Sequence, residues 1–446
     1  QPSANLISEL VLSVLGVPMI SWHRSSIKRY RVMFALITFV MTLTCSVCAN
    51  MSAPRTLIVI DGPQSNFAGF MEGLRRDLHH NISVIDKSVP LIDFGERVYD
   101  NVALLGTIDG VFSTQNLLDF VDLGGNLLVA NSDPGKTTRN LSSKCGFTFD
   151  SERSAVIDDD NSLDSFRKIY GVDCANNGGI NIKNSSIAYR GIGQVQSLMS
   201  STEKSFAFLP GDVSTYSIAA DGSIISAGQE LVLISAFQAG NNARILVSGS
   251  SDMFTDQFFA IKSCENRRFA LEAAAWTFGQ KGILRASNIH HHRIDHADDH
   301  TPPKQYTVND TVVYHVDIEE FDGFSNRWKP FIAKKNDMQL EFVMMSPYIR
   351  VPLKSSKSGH YSSTFTVPDV YGVFKFKVEY DRLGLSKLVL STTVPVHPKR
   401  HDEFERFIVS AFPYYVSEFT MIISFLLFSV VYLHHTDNEC NRAVST

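Results

Sequence analysis

The chain of 446 residues is long enough for two or three folded domains. Its composition, with 44% hydrophobic and 20% charged residues, is typical of a globular protein. The formal net charge of -5 leaves no excess of basic residues, which argues against a nucleic-acid partner.

Residues 1–49 have the layout of an N-terminal extension followed by a signal peptide. An apolar run covers residues 34–47, basic residues such as Arg29 and Arg31 precede it, and small residues end the pattern near Ala49. This layout predicts a secretory signal that is cleaved near Ala49. The sequence leaves open whether translation starts at Met33 or upstream of it.

Residues 50–285 alternate between strand-like and helix-like segments. The apolar run 56–61, which ends at Gly62-Pro63, predicts a strand that is buried on both faces. Apolar residues at helical spacing in 65–80 predict an amphipathic helix that packs on it. Further strands are predicted at 82–85, 102–105, 126–130, 231–237 and 244–247, and further helices near 117–121 and over 267–278. The alternation predicts an α/β domain with a mainly parallel sheet, of the Rossmann or flavodoxin type.

Ligands of such a sheet bind at the carboxyl ends of the strands, and no known motif follows the predicted strands there. The first strand is not followed by G-x-G-x-x-G, and the chain has neither a phosphate loop nor a G-x-S-x-G turn. The nearest match, Ser248-Gly249-Ser250-Ser251-Asp252, lacks the second glycine. We interpret Ser251 or Asp252 as the N-cap of a helix that runs through Phe258. No catalytic residue and no cofactor is predicted.

One histidine-rich segment suggests a metal site. It contains His290, His291, His292, His296 and His300. Adjacent residues of an extended segment point to opposite sides, and acidic residues and Pro302-Pro303 share the region. We interpret residues 286–304 as a polar linker and predict no metal ligand, with a structural metal site as the alternative.

From residue 305 to residue 400 the apolar period changes to two. Val312, Tyr314 and Val316 alternate with Val313, His315 and Asp317, and similar alternation recurs at 338–344 and 374–380. This pattern is typical of strands with one apolar and one solvated face. Five or six short strands at this spacing predict an Ig-like β-sandwich.

Residues 411–433 form an apolar stretch that begins with aromatic residues. Its length matches the roughly 20 residues that a helix needs to cross a bilayer. We predict a transmembrane helix after a juxtamembrane segment at 401–410 and before a cytosolic tail at 434–446. With the signal peptide, this predicts a single-pass type I protein whose bulk is lumenal. Glu418 is either at the edge of the span or a contact inside a larger membrane assembly.

The predicted lumenal part contains glycosylation sequons and few cysteines. The sequons begin at Asn81, Asn140, Asn184 and Asn309. The lumenal cysteines are Cys145, Cys174 and Cys264. Three cysteines allow at most one disulfide, for which Cys145 with Cys174 is a candidate.

Several long strings of the sequence resemble one known family. They are VYDNVALL (98–105), LGGNLLVANSD (123–133), SGSSDMFTDQFF (248–259), His-His-Arg (291–293), QLEFVMMSPYIR (339–350), PDVYGVFKFKVEYDRLG (368–384) and ERFIVSAFPYYVSEFTM (405–421). Together they resemble the 48 kDa subunit family of the oligosaccharyltransferase complex, in order and over most of the chain.

The resemblance implies a function in protein N-glycosylation. Members of the family are type I proteins of the endoplasmic reticulum membrane, and their complex transfers a preassembled oligosaccharide from dolichyl diphosphate to Asn of N-x-S/T in nascent chains. The resemblance further implies that the chemistry and its metal belong to a separate multi-spanning catalytic subunit. By this resemblance the chain is a structural, accessory partner of the other subunits.

Two features of the sequence differ from those of the family. The tail HHTDNECNRAVST has none of the lysines that family tails often carry, and the extension before Met33 is foreign to the family. The alternative functions are a lumenal amidotransferase-like or hydrolase enzyme with an unrecognised active site, and a type I surface adhesion receptor.

Overall fold

The computed structural model describes residues 53–85, 89–107, 109–158, 162–163, 166–170, 186–197, 204–262, 264–296, 302–333, 337–356, 358–404 and 407–435. The predicted signal peptide, Cys174, Asn184 and residues 436–446 of the predicted tail lie outside these ranges. The described residues fall into two compact units, one up to Phe278 and one from Gly279 onwards. The mixed α/β character that the sequence predicts is confirmed.

Among the described residues, the first unit combines one large sheet with helices and three small sheets. Its strands are β1 Arg55–Ile60, β2 Asn81–Val84, β3 Ile92–Asp93, β4 Glu96–Arg97, β5 Asn101–Leu105, β6 Asn126–Ala130, β7 Phe147–Phe149, β8 Ala155–Asp158, β9 Ser162–Leu163, β10 Phe166–Tyr170, β11 Ser186–Tyr189, β12 Gln194–Gln196, β13 Ser205–Pro210, β14 Thr215–Ile218, β15 Ile224–Ala227, β16 Leu231–Gln238 and β17 Arg244–Ser248. Its helices are α1 Ala68–Arg76, α2 Thr114–Asp122, α3 Lys136–Lys144, α4 Asp256–Phe259 and α5 Asn266–Thr277, with 3-10 turns at Gln64–Phe67, Gly228–Glu230 and Asp252–Phe254.

The large sheet has a parallel half and an antiparallel half. Its order is β2-β1-β5-β6-β17-β16-β12-β7, and β13 also pairs with β16. Strands β2, β1, β5, β6 and β17 run parallel, while β16, β12, β7 and β13 are joined by antiparallel pairing. Strands β1, β5 and β6 read as continuous apolar runs because they are buried on both faces.

Helices cover both faces of the parallel half. On one face Leu57 and Val102 form a single core with Leu117 and Phe120 of α2 and Leu141 of α3. Helices α1 and α5 pack against each other, and α5 contacts β6 and β17. A Cβ at Gly73 of α1 would lie 2.5 Å from a methyl group of Leu271, so the two helices approach closely at this glycine.

The second unit is built from two facing sheets and a C-terminal helix. Its elements are β18 Lys281–Arg293, β19 Tyr306–Thr307, β20 Thr311–Asp322, β21 Arg327–Pro330, β22 Gln339–Val343, β23 Pro347–Pro352, β24 Lys354–Ser355, β25 His360–Thr366, β26 Gly372–Tyr380, β27 Leu388–His397 and α6 Phe412–His434, with 3-10 turns at Ile294–His296 and Val409–Ala411. One sheet has the order β18-β20-β25-β24 with β21 beside β20, and the other has the order β19-β27-β26-β22-β23.

The core of the second unit lies between these sheets. Tyr314 and Val316 of β20 belong to the same buried cluster as Phe342 of β22 and Phe376 of β26. The rings of Phe342 and Phe374 are stacked with centroids 4.5 Å apart. Strand β20 alternates between half-buried and buried residues, as the sequence period of two predicts.

The prediction of a polar linker at 286–304 is wrong for residues 286–293. Ala286 is paired with Ile318 and His290 with His315, because residues 281–293 form the long strand β18. The polar composition of this stretch reflects an outer strand with one solvated face. Strand pairing with β20 supplies the backbone hydrogen bonds that a linker would leave to water.

Candidate functional site

Ligands of a parallel sheet usually bind at the carboxyl ends of its strands, where this protein places several polar side chains. Asp61 follows β1, and its carboxylate accepts a 3.3 Å hydrogen bond from the backbone N–H of Thr107. Asn131 follows β6, and its side-chain oxygen accepts a 2.9 Å bond from the N–H of Asp133. These polar groups therefore stabilise the turns that leave the sheet.

The amino end of α3 opens onto this edge but is already occupied. The carboxylate of Asp109 accepts hydrogen bonds of 3.0 Å from the backbone N–H groups of both Lys136 and Thr137. A helix amino end attracts anions because its first N–H groups lack partners within the helix. Here the protein supplies its own anion, so this helix end does not favour an exogenous phosphate.

The segment after β17 lacks the arrangement of a nucleophile. The hydroxyl of Ser250 accepts a 3.4 Å bond from the N–H of Met253, and the hydroxyl of Ser251 lies 2.9 Å from that of Ser132. Asp252 forms an ion pair of 2.6 Å with Arg190. In the described part of the chain, neither serine hydroxyl is bonded to an imidazole that could take its proton.

The predicted capping role of this segment is wrong in detail. Ser251 precedes the 3-10 turn Asp252–Phe254 without a side-chain capping bond. The α-helix that contains Phe258 begins at Asp256 and follows Thr255. Thr255 has an extended backbone, with φ -88° and ψ 155°, and divides the one continuous helix that the sequence predicts into two short pieces.

Helix α6 is long and apolar enough to cross a membrane. The stretch Val409–His434 contains an 18-residue apolar window with a mean hydropathy of 2.0, and none of this window is buried within the protein. The 23 residues of α6 span about 34 Å at 1.5 Å per residue, against a hydrocarbon layer of about 30 Å. The helix predicted at 411–433 is observed at 412–434.

The polar side chains of α6 differ in the hydrogen bonds that they form. The hydroxyls of Ser417, Thr420 and Ser429 donate to the backbone oxygens of Tyr414, Ser417 and Phe425 at 2.7–2.8 Å. Such bonds within the helix suit an apolar surrounding. Glu418 is exposed, and among the described residues its carboxylate has no bond of this kind. Glu418 is the one acidic residue of α6.

Two family models match consecutive parts of the chain. The model described as "OST48, N-terminal domain" matches residues 47–280, and the model described as "OST48 middle domain" matches residues 291–436. The chain belongs to the OST48 family. The first match covers more than half of the chain, and the two together extend through both compact units and α6.

Curated relatives of this OST48-family chain are similar over most of their length. Proteins named "Dolichyl-diphosphooligosaccharide--protein glycosyltransferase 48 kDa subunit" are 34% identical in Danio rerio, 36% in Drosophila melanogaster and 32% in Arabidopsis thaliana. The alignments cover 90%, 80% and 86% of this chain and 96%, 85% and 94% of the relatives, respectively.

The sequons of this OST48-family chain differ in their surroundings. Asn81 begins the edge strand β2, Asn140 lies within α3 and Asn309 lies in the turn before β20, and all three side chains are exposed. Ser142 of the second sequon is buried, and its hydroxyl donates to the oxygen of Phe147 at 3.0 Å. Asn309 has a backbone φ of 67°, which is typical of a turn.

The described cysteines are buried thiols. Cys145 packs in the core beside α2 and α3, and burial raises the pKa of its thiol to about 12. Cys264 is also buried. Because Cys174 lies outside the described residues, the pairing of Cys145 with Cys174 stays a prediction.

Proposed function

We propose that this chain is a non-catalytic subunit of the oligosaccharyltransferase complex of the endoplasmic reticulum. That complex transfers a preassembled glycan from dolichyl diphosphate to Asn of N-x-S/T in nascent proteins. The observation that carries the proposal is the similarity, over 80–90% of this chain, to three proteins named as the 48 kDa subunit of this glycosyltransferase. The chain takes part in N-glycosylation as an accessory subunit.

An accessory role is supported by the chemistry of the first unit. The carboxylate of Asp109 neutralises the amino end of α3, and the hydroxyls of Ser250 and Ser251 form hydrogen bonds within the protein. Catalysis then belongs to a partner, the multi-spanning subunit of the complex. This chain contributes a rigid lumenal scaffold and an anchor.

We assign finer folds to the two units within this proposal. The parallel strands stand in the order second, first, third, fourth, fifth, which supports a flavodoxin-like fold for the first unit. The two facing sheets with alternating burial support an Ig-like β-sandwich for the second unit. Both folds are widespread scaffolds that host unrelated functions, so neither implies an activity of its own.

In this proposal α6 anchors the chain in the endoplasmic reticulum membrane with type I topology. Glu418 then contacts a polar or basic group on a membrane helix of another subunit. A carboxylate inside a bilayer is costly unless it is paired, at least about 2.5 kcal/mol near the helix centre. Because the hydroxyls beside it bond to their own helix, the partner of Glu418 comes from outside the chain.

A depletion and rescue experiment tests both parts of the proposal. Depleting the protein is expected to lower sequon occupancy on reporter glycoproteins, and the full-length chain restores it. A Glu418→Gln variant should restore less occupancy and recover less of the other subunits in mild detergent. The matched control is Glu403→Gln, which changes an exposed carboxylate before the span.

Normal reporter glycosylation after depletion would refute the assignment to the complex. Full rescue by a variant with Ser250, Ser251 and Asp252 all replaced by alanine would agree with the scaffold role. Loss of glycosylation by that variant despite normal assembly would favour an active site at the end of β17. Staining of the tagged protein at the cell surface would favour the adhesion receptor.

A further inference from the structure

Four histidines form a row on the outer face of the sheet β18-β20-β25. His290 and His292 project from β18, His315 from β20 and His360 from β25. Residues two apart on a strand share a face, so His290 and His292 point outwards together. His291 points into the core, where its Nδ1 lies 2.8 Å from the hydroxyl of Tyr306.

The rings of this row, hereafter the histidine row, follow one another at short distances. The ring centroids are 5.4 Å apart for His290 and His292, 5.3 Å for His292 and His315, and 5.0 Å for His315 and His360. Nδ1 of His315 is 3.1 Å from Nε2 of His360. Two nitrogens on one tetrahedral ion, each about 2.0–2.1 Å from it, are about 3.3 Å apart. In the structure these two nitrogens share a hydrogen bond, and their separation is also close to that of two ligands of one metal ion.

A carboxylate fixes the orientation of the last ring. Nδ1 of His360 lies 2.6 Å from Oδ1 of Asp317, and the amide of Asn288 donates to Oδ2 of Asp317 at 2.7 Å. An ionised carboxylate only accepts hydrogen bonds, so Nδ1 of His360 carries the proton. Nε2 of His360 therefore has the lone pair and accepts a hydrogen bond from Nδ1 of His315. A carboxylate behind a histidine is the usual outer shell of a metal ligand.

One nitrogen of the histidine row lacks any partner. Nδ1 of His292 is buried, and no hydrogen bond reaches it from the described residues. A buried ring nitrogen without a partner loses its hydration without compensation. A cation bound by the row would supply the missing interaction.

We propose that His292, His315 and His360 bind one divalent transition-metal ion, with Zn²⁺ as the best fit, and that Asp317 positions His360. Imidazole nitrogens favour zinc and its neighbours over calcium and magnesium, and three histidines are a known zinc ligand set. The rings now stack, and no group of three ligands among the described residues is assembled for a metal. Binding therefore rotates the rings. His315 binds through Nδ1 and moves its proton to Nε2, so no net proton is lost from the neutral pair.

Titration of the full-length chain in detergent with Co²⁺ tests the site directly. After removal of bound metal by a chelator, one equivalent of Co²⁺ should produce the strong visible absorption of a four-coordinate ion, and Zn²⁺ should displace it. Binding should weaken at acidic pH, because protons compete with the metal for imidazole nitrogens. X-ray absorption of the zinc-loaded wild-type chain should show nitrogen neighbours at about 2.0–2.1 Å.

The variants separate the histidine row from the other histidines of the chain. His292, His315 and His360 replaced together by glutamine should remove the cobalt absorption, and Asp317→Asn should weaken binding about 10–100-fold. His397→Gln, which changes an exposed histidine on β27, should bind as the wild type does.

Either of two results would overturn the proposal. One is the absence of cobalt absorption from the wild-type chain, and the other is absorption that survives the triple substitution. Circular dichroism checks that the triple variant is folded. If that variant is unfolded, the X-ray absorption of the wild-type chain decides, since a shell of water oxygens alone would contradict the site. The measurement needs no other subunit, so its outcome is independent of the role in glycosylation.

Discussion

The pKa of Glu379, a surface carboxylate, is set by two neighbouring lysines. It lies on β26 with the ammonium groups of Lys377 and Lys387 each 2.7 Å from its carboxylate. Hydrogen bonds from Lys377 and Lys387 lower the pKa of Glu379 to about 2 from its usual 4.5. The folded state therefore binds a proton to this carboxylate less readily than the unfolded state does.

The lowered pKa of Glu379 predicts a pH-dependent stability effect. Because the folded pKa lies below the unfolded pKa, the stabilisation is complete above pH 4.5 and is lost as the pH falls towards 2. The residue is exposed, so the effect is small, below about 1 kcal/mol, and salt weakens it. Glu379→Gln should lower the protection of β26 and β27 from hydrogen exchange at pH 7, and it should lower it less near pH 3 once intrinsic exchange rates are taken into account. Glu403→Gln should leave this protection unchanged at both pH values. An equal effect at both pH values would contradict the ion pairs.

Asn309 is better placed than Asn140 to carry a glycan. Its side chain is exposed in a turn, whereas Asn140 lies in a helix and the hydroxyl of its sequon partner Ser142 is buried. Asn309→Gln should remove one glycan, seen as faster migration that endoglycosidase treatment of the wild type reproduces. Asn140→Gln is the matched control and should migrate as the wild type does. The reverse pattern would contradict the prediction.

At the scale of elements, two glycines let a loop pass over the end of β17. A Cβ at Gly249 would lie 1.9 Å from the backbone oxygen of Ile192, and a Cβ at Gly191 would lie 1.9 Å from the oxygen of Gly249. The N–H of Ile192 donates a 2.9 Å hydrogen bond to the backbone oxygen of Gly249, which joins the two backbones. The glycine of the serine-rich segment is thus required by packing.

Gly249→Ala should destabilise the first unit by about 1–3 kcal/mol or more. The atom in the way belongs to the backbone, so no side-chain rotation relieves the clash. Hydrogen exchange of β16 and β17 reports the loss. Gly240→Ala is the control, because its nearest neighbour is the flexible end of Lys204 at 3.2 Å. Wild-type exchange in Gly249→Ala would show that the loop can move away.

Elements with a strong local signal were predictable, and those fixed by distant contacts were not. The buried runs of β1, β5 and β6 and the helix α5 follow from composition and period. Helix α3, with the sequence KTTRNLSSK, contains one apolar residue and is capped by Asp109, so its sequence carries no helical period. Strands β12 and β13 join the sheet through pairing with β16, from a region whose sequence shows no sustained period.

The same distinction applies to the candidate sites. Helix α6 and its carboxylate Glu418 could be predicted because a membrane span is a continuous local pattern. The histidine row could not, since His315 and His360 join His292 only through the register of β18, β20 and β25. The sequence signal that remained was His-x-His, which is read as a shared face only once the segment is known to be a strand.

For the whole molecule, the orientation in the membrane is not determined by the charges next to α6. Basic and acidic residues are mixed at 397–405, before the helix, and the tail carries Arg442 against Asp437 and Glu439. The positive-inside rule therefore gives no clear direction. The orientation instead depends on the predicted signal peptide, which would place both compact units in the lumen.

Protease treatment of sealed microsomes tests this orientation. In the predicted arrangement α6 remains in the membrane after alkaline carbonate extraction. Carbonate releases peripheral proteins, whereas release of α6 would expose its apolar surface to water at a large cost in free energy. Added protease should then shorten the chain by no more than the tail after residue 434, and the Asn309 glycan should stay on the protected fragment. Detergent is the control, since it should expose both units to digestion. Release by carbonate would rule out the span, whereas digestion of the bulk in intact vesicles would place the two units and the histidine row in the cytosol.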